Sequence, residues 1–462
     1  MNKVDMDIDL IGKVTFPGGV HPPDYKTLTE NAPIELFPQP KQVSILLSQH
    51  IGAICRPTVA KKDRVQPGQQ VGSAQAFVSA PVHSPAAGTV KDIALQSHLV
   101  LGREMAVIID VDQASSQPKK LPFDQFALDV DITRYSPEQI VDVVRDAGIV
   151  GMGGACFPTS VKLKANPKSP IETVIINGCE CEPFITCDYR LMLEAANQII
   201  AGVRLAAKAV ASRRIIIAIE DNKPVAIQTI AQAVEKSGTP IAVLPVRTRY
   251  PQGGERQLIK AVLRKDVPTG GIPPMIGVLV VNVATAAAVA EAVLLNCPLT
   301  HRVITVSGRG IERRGNFYVP VGTPLCDLIE HCGGLNKDGV KIVLGGPMMG
   351  FAVADLTTPI TKGSGAITVL TKKEIGTAKF ERRQTACIRC GRCLRVCPTH
   401  INPTIIAHAV KNNMLDLARK NDMAACIECG CCSYICPANI ELAGYIKTGK
   451  ILAAKLEKRM PA

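Results

Sequence analysis

The rhythm of apolar positions changes several times along the chain, and each change marks a boundary. Residues 41 to 110 carry short runs split by turn residues: VSILL, then CRPTVAKKDRVQPGQQVG, then APVHSPAAGTVKDI. These predict short strands. From Ser136 the pattern alternates between helix and strand. SPEQIVDVVRDAG reads as a helix capped by Ser136 with Pro137 at its first position. A glycine-rich loop (148 to 157), a strand TVIIN (173 to 177), a long helix from about Arg190 to Ala211, a strand RIIIAIE, a helix after Pro224 and a strand IAVLPV follow. Such a succession predicts a largely parallel sheet with helices on both faces. From His301 the order becomes a hairpin (HRVITVSG, NFYVPVG), a helix (PLCDLIEHCGG) and a strand (VKIVLGG), which suits a small β-grasp module. The GGPMMG after that strand lacks a following lysine and serine, so a turn is expected there and not a phosphate loop.

One stretch imitates a membrane span: IGVLVVNVATAAAVAEAVLL, residues 276 to 295. It contains Asn282 and Glu291, and a carboxylate in hydrocarbon is costly. The β-branched run before Asn282 and the alanine-rich run after it predict a buried strand leading into a helix. The N-terminal MNKVDMDIDL has no basic region followed by an apolar run, so no secretory signal and a soluble chain are expected.

The strongest chemical signal lies near the C-terminus. Cys387, Cys390, Cys393 and Cys397 follow the spacing CxxCxxCxxxCP, and Cys426, Cys429, Cys432 and Cys436 repeat it. That is the bacterial two-cluster ferredoxin pattern, in which the fourth cysteine of each run serves the other cluster. One [4Fe–4S] cluster is therefore assigned to Cys387, Cys390, Cys393 and Cys436, and the other to Cys426, Cys429, Cys432 and Cys397. Zinc prefers paired knuckles with a long spacer and fits the third cysteine and the proline poorly. Cys431 is expected to be a bystander. Between the runs, NPTIIAHAVKNNMLDLARK has helical spacing, so helix joins the half-motifs.

Composition adds a compartment and a charge. The 462 residues include seventeen cysteines, too many for an oxidising environment with clusters competing for thiols. Net charge is +13. Lys379, Arg382, Arg383, Arg389, Arg392 and Arg395 face only Glu381 in that stretch. With no tryptophan, few aromatic residues and no nucleic-acid motif, nucleic acid is not expected as a partner. The patch is either a solvated face or a docking surface for an acidic electron carrier or anionic lipid.

A second candidate site lies mid-chain. GIVGMGGACFPTSVK, residues 148 to 162, places four glycines where a backbone turns tightly and presents free amides, an arrangement that binds phosphate. It precedes the first strand of the sheet and lacks GxGxxG, so it is not a dinucleotide fingerprint. Strand TVIIN then delivers Asn177 and GCECEP to a carboxyl edge, where open α/β sheets bind ligands.

GMGGACFPTSVK followed by INGCECEP resembles the glycine loop and the NADxSEP stretch of the FMN- and NADH-binding flavoprotein subunit of respiratory complex I. The likeness continues through YPQGGE and NVAT. Residues 41 to 110 resemble the barrel-sandwich of lipoyl and biotinyl carriers, although AFVSAPVH offers no lysine at the hairpin where a carrier would bear one, so a structural or docking role is expected. With FPGGVHPPDYK (16 to 26) and the cluster pair, the whole chain resembles the RnfC family, one of the components of the Rnf (Rsx) ion-translocating electron transport complex.

The resemblance implies that Gly151, Gly153, Gly154, Lys162, Asn177, Asn282 and Thr285 hold FMN. It implies that Glu180, Glu182 and Glu255 face the nicotinamide nucleotide and that Phe157 stacks on it. Met152 departs from the arginine of the complex I loop, and Cys156, Cys179 and Cys181 replace small or acidic residues. Cys179, Cys181 and Cys187 lack an evident fourth ligand for a further metal. The fold implied is multidomain α/β: an N-terminal segment (1–40), a barrel-sandwich hybrid (41–115), a complex I flavoprotein-like domain (130–300), a β-grasp, SLBB-like module (301–372), a ferredoxin-like helical domain with two clusters (378–445) and a basic tail (446–462).

NADH gives up two electrons at once and each cluster takes one, so a flavin must stand between them. The resemblance implies NADH:ferredoxin-type oxidoreduction, reversible, with other Rnf/Rsx subunits and a ferredoxin-type carrier as partners. It places the protein peripherally on the cytoplasmic face of the bacterial inner membrane, without a transmembrane helix. A soluble reductase of the same domains, such as a cobalamin reductase, and a scaffold or electron-storage subunit without nucleotide binding are the rival expectations.

Overall fold

Four buried, β-branched strands organise the middle of the chain. In the computed structural model, which describes residues 14–113, 120–127, 130–164, 166, 168–375 and 384–457, these strands form one parallel sheet. Its order is Ile241–Val246, Arg214–Glu220, Thr173–Gly178, Val278–Asn282. The chain leaves the first strand towards one edge and returns to place Val278–Asn282 on its other side. A crevice opens at the carboxyl ends where such an order reverses. Asn177 and Asn282 are register partners there.

Helices cover both faces. The first, α1 (Pro137–Asp146), opens with a capping box in which Ser136 accepts from the Gln139 amide and Gln139 accepts from the Ser136 amide. The long helix expected from Arg190 is two, Cys187–Glu194 and Ala196–Ala209, broken at Ala195. At the break the Glu194 carboxylate accepts from the Ile34 amide of the N-terminal segment. The apparent membrane span is the strand Val278–Asn282 followed by the helix Val283–Leu295. This helix crosses Ala196–Ala209 so closely that a Cβ at Gly202 would stand 1.7 Å from the Ala286 carbonyl oxygen. Among the described residues no helix is long and apolar enough to cross a membrane.

The flanking modules take the expected shapes with two differences. Residues 42 to 111 pair as a four-stranded and a three-stranded sheet around Val43, Ile45, Val71, Val82, Val107 and Ile109. The β-grasp sheet contains the hairpin His301–Ser307 and Gly315–Pro320, with Ala366–Thr371 beside it. Its edge is completed by Ile34–Leu36, three residues of the N-terminal segment. In the cluster domain, Pro403–Lys411 and Leu415–Lys420 join the two cysteine runs. The expected basic tail from 446 is instead continuous with the domain, because the helix Leu442–Glu457 buries Leu442, Ile446 and Ala453. Gly449 permits its close approach to Val410, where a Cβ would stand 2.4 Å from a methyl.

FPGGVHPPDYK stitches these bodies together. The Gly19 amide donates to the Val396 carbonyl, and Val20 pairs with Tyr250. Lys26 is buried, and its ammonium donates to the carbonyls of Glu180 (2.7 Å), Glu182 (3.0 Å) and Ile185 (2.7 Å). Burial lowers the Lys26 pKa, opposed by the Glu180 carboxylate 3.8 Å away. Lys26→Met removes that cation and strands three carbonyls and a buried carboxylate. It should cost about 3–5 kcal/mol, read as a lower midpoint in chemical unfolding; an unchanged midpoint would mean the turn holds itself.

Candidate functional site

The glycine loop is an arch closed at its base. Gly151 donates to the Phe157 carbonyl (2.8 Å), and Thr159 donates to that of Ile149 (2.9 Å). Gly153, Gly154 and Ala155 form its exposed tip. A Cβ at Gly153 would meet the Asn282 side chain at 3.3 Å, while Gly154, at φ +141°, faces open space. The Met152 amide donates to Thr285 Oγ1 at 2.9 Å, tying the arch to the start of the helix Val283–Leu295. Asn282 caps that helix, accepting from the Ala284 (2.9 Å) and Thr285 (3.3 Å) amides.

Around this arch the strand ends supply the polar groups. Asn177 Nδ2 donates to the Gly253 carbonyl at 2.8 Å, next to the turn that leads into Glu255. Lys162 Nζ pairs with Glu255 at 2.8 Å and reaches the Val280 carbonyl at 3.4 Å. Asn282 Nδ2 donates to Asp188 Oδ2 at 2.6 Å. Gly153, Lys162, Asn177, Glu255, Asn282 and Thr285 therefore meet at the sheet's reversal point. A cofactor with a phosphate and a hydrogen-bonding ring fits this set: free amides, a lysine, two carboxamides, and a glycine at which a side chain would crowd Asn282. Phe157 is half-buried at the arch's base.

Two of the carboxylates expected to face a nucleotide are turned inward. Glu180, at φ +45°, accepts from the amides of Asp188 (2.7 Å) and Tyr189 (3.3 Å). Burial raises its pKa to about 7, with Lys26 opposing. Glu182 accepts from the Met348 (2.7 Å) and Met349 (3.0 Å) amides of GGPMMG. Its pKa is likewise raised by burial. GGPMMG is thus the expected turn, and Glu182 is its anchor. The cysteines of this region go different ways: the Cys179 thiol lies against the Ala218 carbonyl, and Cys181 Sγ accepts from the Gly253 amide. Ligand atoms of Glu180, Cys187 and Asp188 lie within 4.8 Å of one another, both carboxylates being engaged by amides.

Beside Met152 lies a partly open cavity of about 40 Å³, lined by Asp188, Gln198, Glu291, His301, Arg302 and Tyr318 among others. The Met152 sulfur touches the Arg302 guanidinium. Glu291 accepts from Tyr318 (3.4 Å) and Gln198 (3.5 Å), and burial raises its pKa to about 7.

In the C-terminal domain, Cys397, Cys426, Cys429, Cys431 and Cys432 line one cavity of about 20 Å³ with apolar walls. All of these but Cys431 belong to the CxxCxxCxxxCP runs, and four such thiols around one apolar space are the donor set of an iron–sulfur cluster. Cys387 and Cys390 are exposed, and Cys393 and Cys436 half-buried. The two runs nevertheless repeat one backbone course. Arg389 and Glu428, Gly391 and Gly430, and His400 and Asn439 all have positive φ, and the Arg389 and Glu428 amides donate to Cys387 and Cys426 at 3.4 Å. Cys431 is buried against the Tyr250 carbonyl. Of the basic cluster, Arg389, Arg392 and Arg395 are described, whereas Lys379, Glu381, Arg382 and Arg383 lie outside the described residues.

Three residues had no sequence signal of their own. Lys26 closes FPGGVHPPDYK but follows no periodicity, and Asp188 merely opens a helix. Tyr250 is buried, and its hydroxyl donates to the Cys429 carbonyl at 2.9 Å, joining the flank of the arch to a cluster loop.

Fold and site together define a flavin- and iron–sulfur-binding oxidoreductase component. Family models match in the same order: the RnfC barrel sandwich hybrid domain over residues 14–114, the Nuo51 FMN-binding domain over 144–291, the SLBB domain over 303–352 and the 4Fe-4S dicluster domain over 379–437. The chain is 42% identical to the C subunit of the proton-translocating ferredoxin:NAD(+) oxidoreductase complex of Clostridium ljungdahlii, over 85% of this chain and 84% of that protein. It is 39% identical to the C subunit of the Na(+)-translocating ferredoxin:NAD(+) oxidoreductase complex of Acetobacterium woodii, over 88% and 90%. It is also 39% identical to the C subunit of the ion-translocating oxidoreductase complex of Rhodobacter capsulatus, over 84% and 73%. The chain belongs to this family, the C subunits of the Rnf-type ion-translocating oxidoreductase complexes.

Glu291 gives the domain a pH signature. Between about pH 4.5 and 7 the folded protein keeps a proton that the unfolded chain has released, so stability is full below that window and falls as pH rises through it. Glu291→Gln should flatten the fall, about 3 kcal/mol at most, in denaturation followed across pH. An unchanged slope would assign the titration to another group.

Proposed function

We propose that this chain is the nucleotide-side subunit of a membrane-bound, ion-translocating electron transport complex, moving electrons between NADH and a ferredoxin-type carrier in either direction. It is peripheral, on the cytoplasmic face of the bacterial membrane, and its partners are the other subunits of the complex. Gly151, Gly153, Gly154, Lys162, Asn177, Asn282 and Thr285 hold FMN, and Phe157 and Glu255 face the nicotinamide nucleotide. When bound there, FMN would supply the chemistry that couples a two-electron hydride donor to one-electron carriers.

The chain's own groups do the positioning. The arch amides and the Lys162 ammonium neutralise a phosphate, and Lys162 keeps Glu255 oriented through their ion pair. Asn177 and Asn282, fixed by the Gly253 carbonyl and the Asp188 carboxylate, present oriented carboxamides at the crevice. Glu180 and Glu182 act on the nucleotide through the turn they hold. One cluster is held by Cys426, Cys429, Cys432 and Cys397 and the other by Cys387, Cys390, Cys393 and Cys436. The observation that carries the reading is Tyr250, whose backbone pairs with Val20 of the N-terminal stitch and whose hydroxyl donates to the Cys429 carbonyl, so the flank of the crevice is in direct contact with a cysteine loop.

Protein purified anaerobically should release FMN on denaturation and contain eight irons. NADH should bleach its visible flavin band. Lys162→Gln should lower flavin retention on the order of tenfold, the loss of one charge-assisted contact, with the iron content kept. Eight irons with no flavin retained by the unaltered protein would contradict the proposal.

A further inference from the structure

The two cysteine runs are copies of one loop that carry different charges. Cys387 to Pro398 and Cys426 to Pro437 share the spacing of their cysteines, and both have positive φ at the same places, Arg389 with Glu428 and Gly391 with Gly430. Where the first run has Arg389, Arg392 and Arg395, the second has Glu428, Cys431 and Tyr434. All three arginines are exposed, and Ile388 beside them is 67% exposed. Glu428 and Tyr434 are half-buried, and Cys431 is wholly buried.

Packing accounts for the difference at each place. Cys431 Sγ donates to the Tyr250 carbonyl at 3.8 Å, while the Tyr250 hydroxyl donates to the Cys429 carbonyl. A thiol that donates to a carbonyl keeps its proton, whereas a cluster ligand gives its proton up, so Cys431 stands apart from the four thiols with which it shares a cavity. An arginine there would bury its charge among Val20, Tyr250 and Cys429. Glu428 is answered by the last helix: Lys450 Nζ donates to it at 2.7 Å and to the Cys426 carbonyl at 3.0 Å, and Lys447 lies 4.0 Å away. The second run thus has a packed setting with its carboxylate offset by lysines, and the first has an exposed setting with three cations. Reduction adds negative charge to a cluster that four thiolates already make anionic. Water and nearby cations favour that charge, and apolar surroundings oppose it.

We propose that the two clusters lie at different potentials, the one held by Cys426, Cys429, Cys432 and Cys397 lower and the other higher, and that Arg389, Arg392 and Arg395 set the difference. The inference rests on the proposed cluster assignment and adds the order in which the two fill. A single electron settles on the exposed cluster, and the buried one is filled only after it. Arg392 and Cys431 are counterparts in the repeat, so one position separates the two environments most sharply. Cys431 is there a positioning residue and not a ligand: it seats its loop on the flavin domain and keeps a cation out of that place.

Redox titration of the anaerobically purified full chain, followed by the electron paramagnetic resonance of the reduced clusters, should resolve two steps. Arg389→Gln, Arg392→Gln and Arg395→Gln together should move the upper step to lower potential and leave the lower step in place. At a fixed potential each lost cation should cut the reduced-to-oxidised ratio about two- to fivefold, the worth of an exposed charge contact. High salt should narrow the gap, because the arginines are exposed. Glu428→Gln should raise the lower step alone. Cys431→Ser, which can still donate to the Tyr250 carbonyl, should keep the iron content and both steps. A single step in the unaltered protein, an upper step that the arginine changes leave in place, or both steps moved equally overturns the inference. Iron lost in Cys431→Ser would make Cys431 a ligand and overturn it as well. Unaltered protein that cannot be loaded with both clusters would instead sink the cluster assignment on which it rests.

Discussion

A single buried ammonium holds the functional edge of this protein in shape. Lys26 gives up water, and desolvation alone would make that expensive. It is repaid by three carbonyl oxygens drawn from one short stretch, Glu180 to Ile185, and by a carboxylate within 4 Å. Three carbonyls converging on one point force the turn to fold outward at its other groups. That is why Glu180 and Glu182 point into the protein, one onto the start of the helix Cys187–Glu194 and the other onto GGPMMG. The cation comes from an N-terminal stretch, so the folded crevice depends on a contact between distant parts of the chain.

From that constraint the route between cofactors follows. The same N-terminal stretch touches the loop that ends at Cys397, with Gly18 so near that a Cβ would stand 3.0 Å from the Cys397 carbonyl oxygen. Gly430 lies equally near the Met348 carbonyl, in the turn that Glu182 anchors. The cavity lined by Cys397, Cys426, Cys429, Cys431 and Cys432 is thereby held against the flavin domain from two sides. Cys387 and Cys390 are exposed, and so are Arg389 and Arg392 beside them in the chain.

Much of this was legible in the sequence, for physical reasons that differ by region. Parallel strands buried on both faces must be apolar throughout, so TVIIN, RIIIAIE and VLVVN announced themselves. Cluster ligation fixes spacing, so eight cysteines could be sorted by their intervals alone; the cavity that Cys397 lines also holds Cys426, Cys429, Cys431 and Cys432. What could not be read were contacts between distant segments. The strand Ile34–Leu36 is too short to show a period, and it joins a sheet whose other strands begin at His301. The C-terminal lysines suggested a tail, but the helix there is amphipathic enough to bury Leu442 and Ile446. Carboxylates at a strand tip looked like ligands for a nucleotide because their partners, backbone amides of other segments, leave no trace in composition.

Electrons should reach the clusters only by way of a flavin seated on the glycine arch. Rapid anaerobic mixing with NADH, following the flavin band and the broad cluster band together, tests this most directly. Flavin-loaded protein should lose flavin absorbance first and cluster absorbance after it, and flavin-stripped protein with both clusters intact should show no cluster reduction. Cluster bleaching by NADH at an undiminished rate in the stripped protein would contradict the account.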